Sequence, residues 1–223
     1  MFRTILGAAV GAMALIGVSA AQAQPVNFSI LSGGFTVGSG YGTGSGQLDV
    51  TFTDLVTPQS FSLNLGETES FLFGRVTFNE TCINPALFCG GFPENLFTNE
   101  TDNLDVVASF AFTSPLAETV QLVASTGAFS GPVDDLLENI PGVRITDFFI
   151  DFAPVTVNFG VGGTFLVDIS DMYFAENGSI SPGANVTLTA VPVPEPASLA
   201  LFGAGLLGLG MVRRRAARRN GLA

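Results

Sequence analysis

The chain has 223 residues but contains no histidine, no tryptophan and no lysine. Without histidine it cannot form a Ser-His-Asp triad or a histidine-ligated zinc site, and without lysine it lacks the P-loop cation and the Schiff-base amine. Only 12% of its residues are charged, whereas 47% are hydrophobic and 27 residues are glycine. This composition excludes a disordered polymer and a coiled coil. No remaining pattern is specific for catalysis, so we expect a protein that is not an enzyme.

The N-terminus has the three parts of a secretory signal peptide. Arg3 supplies one positive charge, an apolar stretch covers residues 5–18, and Ala21-Gln22-Ala23 places small residues at the two positions that a signal peptidase accepts. The alternative is a membrane anchor that is retained, but the apolar stretch is shorter than the ~20 residues that a spanning helix needs. We therefore predict that residues 1–23 are a signal peptide and that cleavage follows Ala23.

The C-terminus combines an apolar segment with a cluster of arginines. Residues 197–212 carry no charge, and as a transmembrane helix they would be about 24 Å long, shorter than the ~30 Å hydrocarbon core of a bilayer. Arginines beside a short apolar helix stay in the cytoplasm, so the rest of the chain is expected outside the inner membrane. A permanent tail anchor is the alternative to temporary residence in the membrane. The arginine cluster consists of Arg213, Arg214, Arg215, Arg218 and Arg219.

Three signals follow one another within residues 191–219: the tripeptide Pro194-Glu195-Pro196, the apolar segment and the arginine cluster. Their order resembles the PEP-CTERM sorting signal of Gram-negative bacteria. The resemblance implies that an exosortase, a membrane-embedded cysteine transpeptidase, recognises and processes the chain during a transient stay in the inner membrane. It also implies delivery to the cell surface or to an exopolysaccharide (biofilm) matrix. The tripeptide would then be a substrate site, and its prolines favour an extended backbone that a protease can bind.

Residues 24–190 form one strongly acidic domain between the two terminal signals. The domain contains 18 acidic residues but only Arg75 and Arg144 as cations, which gives a net charge of −16, compared with −11 for the whole chain. Such a surface repels nucleic acids and anionic lipids, so we expect no nucleic-acid partner. The length suits a single domain with a full hydrophobic core.

Apolar and polar residues alternate through most of this domain. Short strands separated by glycine- and proline-rich turns predict an all-β fold, specifically a single antiparallel β-sandwich of jelly-roll type. A ninth segment, 71–78, shifts its apolar phase at Gly74 and so predicts a β-bulge. Phenylalanines at alternate positions are expected in the core and not in a ligand platform. The other eight segments are 48–52, 61–65, 104–112, 120–124, 148–152, 155–161, 165–169 and 186–190.

Cys82 and Cys89 are the only two cysteines. In an exported chain this short spacing is typical of a local disulfide, which we predict. A redox or metal role is disfavoured because the chain has neither a C-x-x-C pair nor a histidine to complete a zinc site.

Carboxylates are the only other candidate groups. Clustered at sheet edges they could bind Ca²⁺ or form the acid/base pair of a glycosidase, but the interpretation that we favour is solvated surface. We therefore expect no cofactor, with calcium as the alternative. The candidates are Asp134, Asp135 and Glu138, the pair Asp147 and Asp151, and the pair Asp168 and Asp171.

These observations lead to one preferred hypothesis and two others. The preferred hypothesis is a non-enzymatic surface or matrix protein, with exopolysaccharide as a candidate partner. The second is a calcium-stabilised adhesive or carbohydrate-binding module, although a chain with only Tyr41 and Tyr173 and no tryptophan is short of the rings that sugar sites use. The third is an extracellular enzyme that acts on polysaccharides.

Overall fold

The computed structural model describes three long stretches of the chain and three single positions near its C-terminus. Among these residues no helix is long and apolar enough to cross a membrane. The predicted signal peptide and the arginine cluster lie outside them, as does the predicted 197–212 helix apart from the three single positions. The described residues are 24–84, 99–133, 146–192, Gly203, Gly205 and Leu206.

Strands account for most of the described residues, which confirms the all-β prediction. The hydrogen-bonded strand pairs are all antiparallel. Within the described stretches the strands are β1 (Val26–Val37), β2 (Val50–Asp54), β3 (Gln59–Leu63), β4 (Thr68–Leu72), β5 (Gly74–Phe78), β6 (Cys82–Ile83), β7 (Val106–Ser114), β8 (Glu118–Ala128), β9 (Gly131–Pro132), β10 (Phe148–Phe152), β11 (Val155–Phe159), β12 (Gly163–Ile169), β13 (Met172–Phe174), β14 (Gly178–Ile180) and β15 (Gly183–Ala190).

The strands form four sheets. The largest has the order β13-β10-β8-β7-β1-β3, a second has the order β11-β12-β15-β4, a third the order β14-β5-β2, and β6 pairs with β9. Because neighbours in a sheet are often distant in sequence, most of the fold depends on long-range pairing. The finer prediction, a jelly-roll sandwich, stays a prediction.

A core rich in phenylalanine joins the three larger sheets. Phe28 on β1 and Phe112 on β7 each pack against Phe165 on β12, with 5.2 Å between ring centroids. Phe78 on β5 packs against Phe148 on β10 at 5.6 Å. All five rings are almost completely buried, so for these residues the predicted core role is confirmed.

The predicted bulge at Gly74 is wrong. At this point the chain leaves one sheet and enters another: β4 pairs with β15, whereas β5 pairs with β2 and β14. A Cβ atom at position 74 would overlap the ring of Phe35 and would lie 2.8 Å from the carbonyl oxygen of Thr53. The glycine is needed for this close approach, and the apolar phase shifts because the strand changes sheets.

The alternation pattern does not predict β1, although it is the longest strand. Its first part pairs with β3 and most of its length pairs with β7, and the register with β7 shifts between Ser29 and Ser32. This irregularity, followed by Gly33 and Gly34, breaks the period-two pattern that strand assignment relies on.

The glycine-rich segment 38–46 is ordered against the backbone of residues 102–105. The amide of Gly38 donates to the carbonyl of Asp105 at 2.7 Å. A Cβ atom at Gly40 would overlap the carbonyl oxygen of Asp102, so only glycine fits there. Tyr41 is buried within this segment, and its hydroxyl donates to the carbonyl of Leu104 at 2.8 Å.

Candidate functional site

The sorting signal, residues 191–219, begins directly after the last strand. Val191 packs against the hydrophobic core, and Pro192 packs against the turn between β11 and β12. A Cβ atom at Gly163 would lie 2.9 Å from Cγ of Pro192, and one at Gly160 would lie 3.4 Å from it. The chain is therefore held on the folded domain as far as Pro192. The tripeptide Pro194-Glu195-Pro196 lies outside the described residues.

The turn that Pro192 contacts is residues 160–162. Gly160 and Gly162 have φ angles of 53° and 75°, in the region that favours glycine. Between them Val161 is 71% exposed, the highest exposed fraction among the large hydrophobic side chains of the described residues. A Cβ atom at Gly162 would meet no atom within 4 Å. The turn thus holds an apolar side chain in the solvent beside the point where the sorting signal starts.

The two cysteines are only partly covered by the structure. Cys82 is buried on the short strand β6, where it lies opposite Pro132 of β9. Cys89 lies outside the described residues, so the disulfide stays a prediction.

The candidate carboxylates are arranged differently from the predicted pairs. Asp147 is buried and Asp151 is exposed, while Asp168 lies on β12 and Asp171 immediately precedes β13, in a different sheet. No group of three or more acidic or cysteine side chains is close enough to hold a metal ion within the described stretches. The remaining candidates, Asp134, Asp135 and Glu138, lie outside those stretches.

Asp151 and Asp171 do come together, although the sequence suggests other partners for both. Continuing the antiparallel register of β10 and β13 by one residue places them opposite each other. The negative charge of Asp171 raises the pKa of Asp151, with smaller contributions from burial and from a hydrogen bond between the two carboxyl groups. Oδ1 of Asp171 also accepts a hydrogen bond from the amide of Phe152 at 3.1 Å. The result is an exposed carboxyl pair at the edge of the largest sheet.

A row of aromatic rings, which we call the aromatic platform, runs beside this carboxyl pair. It consists of Phe129, Phe149 and Tyr173. The ring centroids of Phe129 and Phe149 are 6.3 Å apart, and those of Phe149 and Tyr173 are 6.4 Å apart with planes only 23° from parallel. Phe129 is 58% exposed and Tyr173 is 54% exposed. Neither phenylalanine belongs to those predicted for the core, because Phe149 is out of phase with the predicted alternation of residues 148, 150 and 152, and Phe129 follows the end of β8.

Strand register explains the platform. Gly127, Phe149 and Tyr173 lie opposite one another on β8, β10 and β13. A Cβ atom at Gly127 would lie 2.6 Å from the ring of Phe149, so the glycine leaves room for that ring to lean over β8. The sequence signal that could have revealed the outward ring is the doublet Phe148-Phe149, because one residue of an adjacent pair on a strand must face outward.

The family model of the PEP-CTERM protein-sorting motif matches residues 192–215. The match confirms the resemblance and begins at Pro192, the residue that packs against the 160–162 turn. No curated protein and no solved structure matches the chain. The chain thus ends in a membrane-associated sorting signal of the kind found in Gram-negative bacteria. It is an exported protein, and an exosortase is its processing partner.

Proposed function

We propose that residues 24–190 act at the cell surface or in an exopolysaccharide matrix as a non-enzymatic binding protein, after an exosortase has removed the C-terminal signal. The observation that carries this proposal is the sorting motif, which starts within two residues of the end of β15. The signal is therefore joined to the folded domain with almost no linker between them. Its net charge of −16 keeps such an apolar domain soluble outside the cell.

Replacing Pro194, Glu195 and Pro196 with alanines tests the sorting part of the proposal. The variant should fold normally and accumulate at full length in the inner membrane, because the tripeptide lies beyond the strands. Immunoblots of membrane and surface fractions, with and without the exosortase, measure this. Alanines at the exposed Pro58 and Glu176 are the matched control and should leave delivery unchanged. Normal release of a shortened triple-alanine variant would contradict the proposal.

Carbohydrate binding is the second candidate function, and the aromatic platform favours it. Flat aromatic rings offer apolar surface to the C–H face of a sugar ring, and the nearby Asp151 and Asp171 are acceptors for its hydroxyl groups. Exposed apolar patches with polar rims mark interaction sites. Because the acidic domain repels anionic polymers, the ligand we propose is a neutral polysaccharide.

Co-sedimentation of the processed protein with cellulose, curdlan or amylose tests this second function. The double variant Phe129→Ser/Tyr173→Ser should bind at least tenfold more weakly, whereas Leu72→Ser, which removes an exposed side chain on β4, should bind normally. Equal binding by all three proteins, or binding by none, would argue against the platform as a sugar site. The calcium-stabilised alternative instead predicts a melting temperature that falls when EGTA is added.

A further inference from the structure

The distance between the folded domain and the tripeptide limits how the exosortase can approach. The chain is packed on the domain through Pro192, and Val193 alone separates that residue from Pro194. Two residues of fully extended chain span at most about 7 Å. An enzyme that binds the tripeptide therefore has to contact the surface of the domain around Pro192.

That surface is formed by the turn at residues 160–162. Gly163 leaves room for Pro192, whose Cγ would lie 2.9 Å from a Cβ atom at that position, and Val161 in the middle of the turn has 71% of its surface exposed to solvent. Single exposed apolar side chains are common on protein surfaces, and what distinguishes Val161 is its place on the turn that Pro192 contacts. Its position next to the start of the matched motif suggests a contact made during processing.

We propose that the 160–162 turn is a docking element for the exosortase, in which Val161 and Pro192 contact the enzyme while it binds the tripeptide. This inference rests on the proposed sorting of the chain and adds a recognition element outside the linear motif. The lipid surface is the weaker candidate, since even a myristoyl chain binds membranes only marginally and a domain with net charge −16 is repelled by anionic lipids.

The test follows processing of the full chain in cells that contain the exosortase, by pulse-chase and immunoblot. Val161→Ser should slow the conversion to the shortened form about tenfold, which corresponds to losing about 1.4 kcal/mol of binding in the transition state. Val123→Ser, at a position that is 66% exposed on β8 of another sheet, is the matched control and should be processed at the wild-type rate. Far-UV circular dichroism checks that both variants keep the wild-type fold.

A flexible spacer of eight Gly/Ser residues inserted between Pro192 and Val193 separates docking from steric hindrance. If the turn and the tripeptide bind the exosortase together, the spacer should slow processing, and Val161→Ser should have no further effect in the spacer background. Faster processing with the spacer would mean that the domain only obstructs the enzyme, and it would overturn the proposal. Flotation of the chain with anionic vesicles that depends on Val161 would also overturn it, in favour of a lipid contact.

The same experiment distinguishes this inference from the proposed function. If the wild-type chain is not processed, or if the triple-alanine variant of the tripeptide is processed normally, the sorting proposal itself fails. If the wild-type chain and Val161→Ser are processed equally fast while the triple-alanine variant is not, only the docking element is refuted.

Discussion

Two hydroxyl groups share one buried acceptor beside the glycine-rich segment. We therefore predict that removing both hydroxyl groups lowers the free energy of unfolding by more than the sum of the two single removals. The Tyr41 hydroxyl donates to the Leu104 carbonyl at 2.8 Å, and Oγ1 of Thr126 donates to the same oxygen at 2.5 Å. Tyr41 and Leu104 are both buried. Either hydroxyl can be removed without leaving the carbonyl bare, whereas removing both takes away both donors.

The magnitudes follow from the general cost of hydrogen bonds. Tyr41→Phe and Thr126→Val each lose one bond and should each lower the free energy of unfolding by about 1 kcal/mol. The double variant also leaves a buried acceptor without either hydroxyl, a situation that costs roughly 1–3 kcal/mol in itself. We therefore expect the double variant to lose about 1 kcal/mol more than the sum of the single variants.

Urea denaturation measures this cycle. Because the chain has no tryptophan, unfolding is followed by far-UV circular dichroism. With a slope near 2 kcal/mol per molar urea, an excess of 1 kcal/mol moves the midpoint by about 0.5 M. Additivity of the two single variants to within about 0.3 kcal/mol would refute the shared acceptor.

The same tyrosine gives a pH dependence. Burial raises the pKa of Tyr41, with the negative charge of Asp105 adding to the shift and Thr126 opposing it. The folded state therefore holds this proton to higher pH than the unfolded state, whose tyrosine has a pKa of about 10. The free energy of unfolding should fall as pH rises above about 10, and Tyr41→Phe should lose this part of the dependence.

Three further predictions concern other parts of the fold. Asp151→Asn removes the repulsion between the paired carboxylates and should raise the free energy of unfolding at neutral pH, by only a few tenths of a kcal/mol because solvent screens the exposed pair. Because the pKa of Asp151 is raised in the folded state, the gain should appear as pH rises above ~4 and be absent in thermal melts at pH 3, and an equal gain at both pH values would contradict the prediction. Gly40→Ala should cost about 1–3 kcal/mol through overlap with a backbone carbonyl, whereas Gly178→Ala, which meets no atom within 4 Å, should be nearly neutral in the same melts; equal losses would contradict the packing argument. Cys82 and Cys89 should resist alkylation in the folded protein without reductant, and mass spectrometry that finds two modified thiols would exclude the disulfide.

The sequence predicts best those features that depend on one short stretch of chain. The four segments predicted between residues 148 and 190 follow strict alternation, and the structure contains a strand at each of them. The pattern does not predict the short strands β13 and β14, and β11 ends at Phe159, before the predicted end of its segment at Val161. The sorting motif is likewise read from a single continuous segment, since the family model matches residues 192–215 without interruption by the folded domain. These features need no knowledge of which strand lies beside which.

Features that depend on register could not be predicted. Asp151 and Asp171 are opposite only because β10 pairs with β13, and period two alone suggests Asp147 as the neighbour of Asp151. The outward face of Phe149 depends on the same pairing and on the space left by Gly127. At Gly74 the sequence shows a change of phase but cannot distinguish a bulge from a change of sheet.

The pairing of β4 with β15 determines when the protein can finish folding. Within the part of the chain that the structure describes, the backbone of residues 68–72 pairs only with residues 183–187, at the far end of the domain, and β15 also completes the pairing of β12. A chain that leaves the cytoplasm with its N-terminus first must therefore be almost fully translocated before this sheet can close. Such non-local pairing folds slowly. Closure thus waits until the sorting signal has reached the membrane, so the folding and the sorting of this protein fall at the same stage of its export.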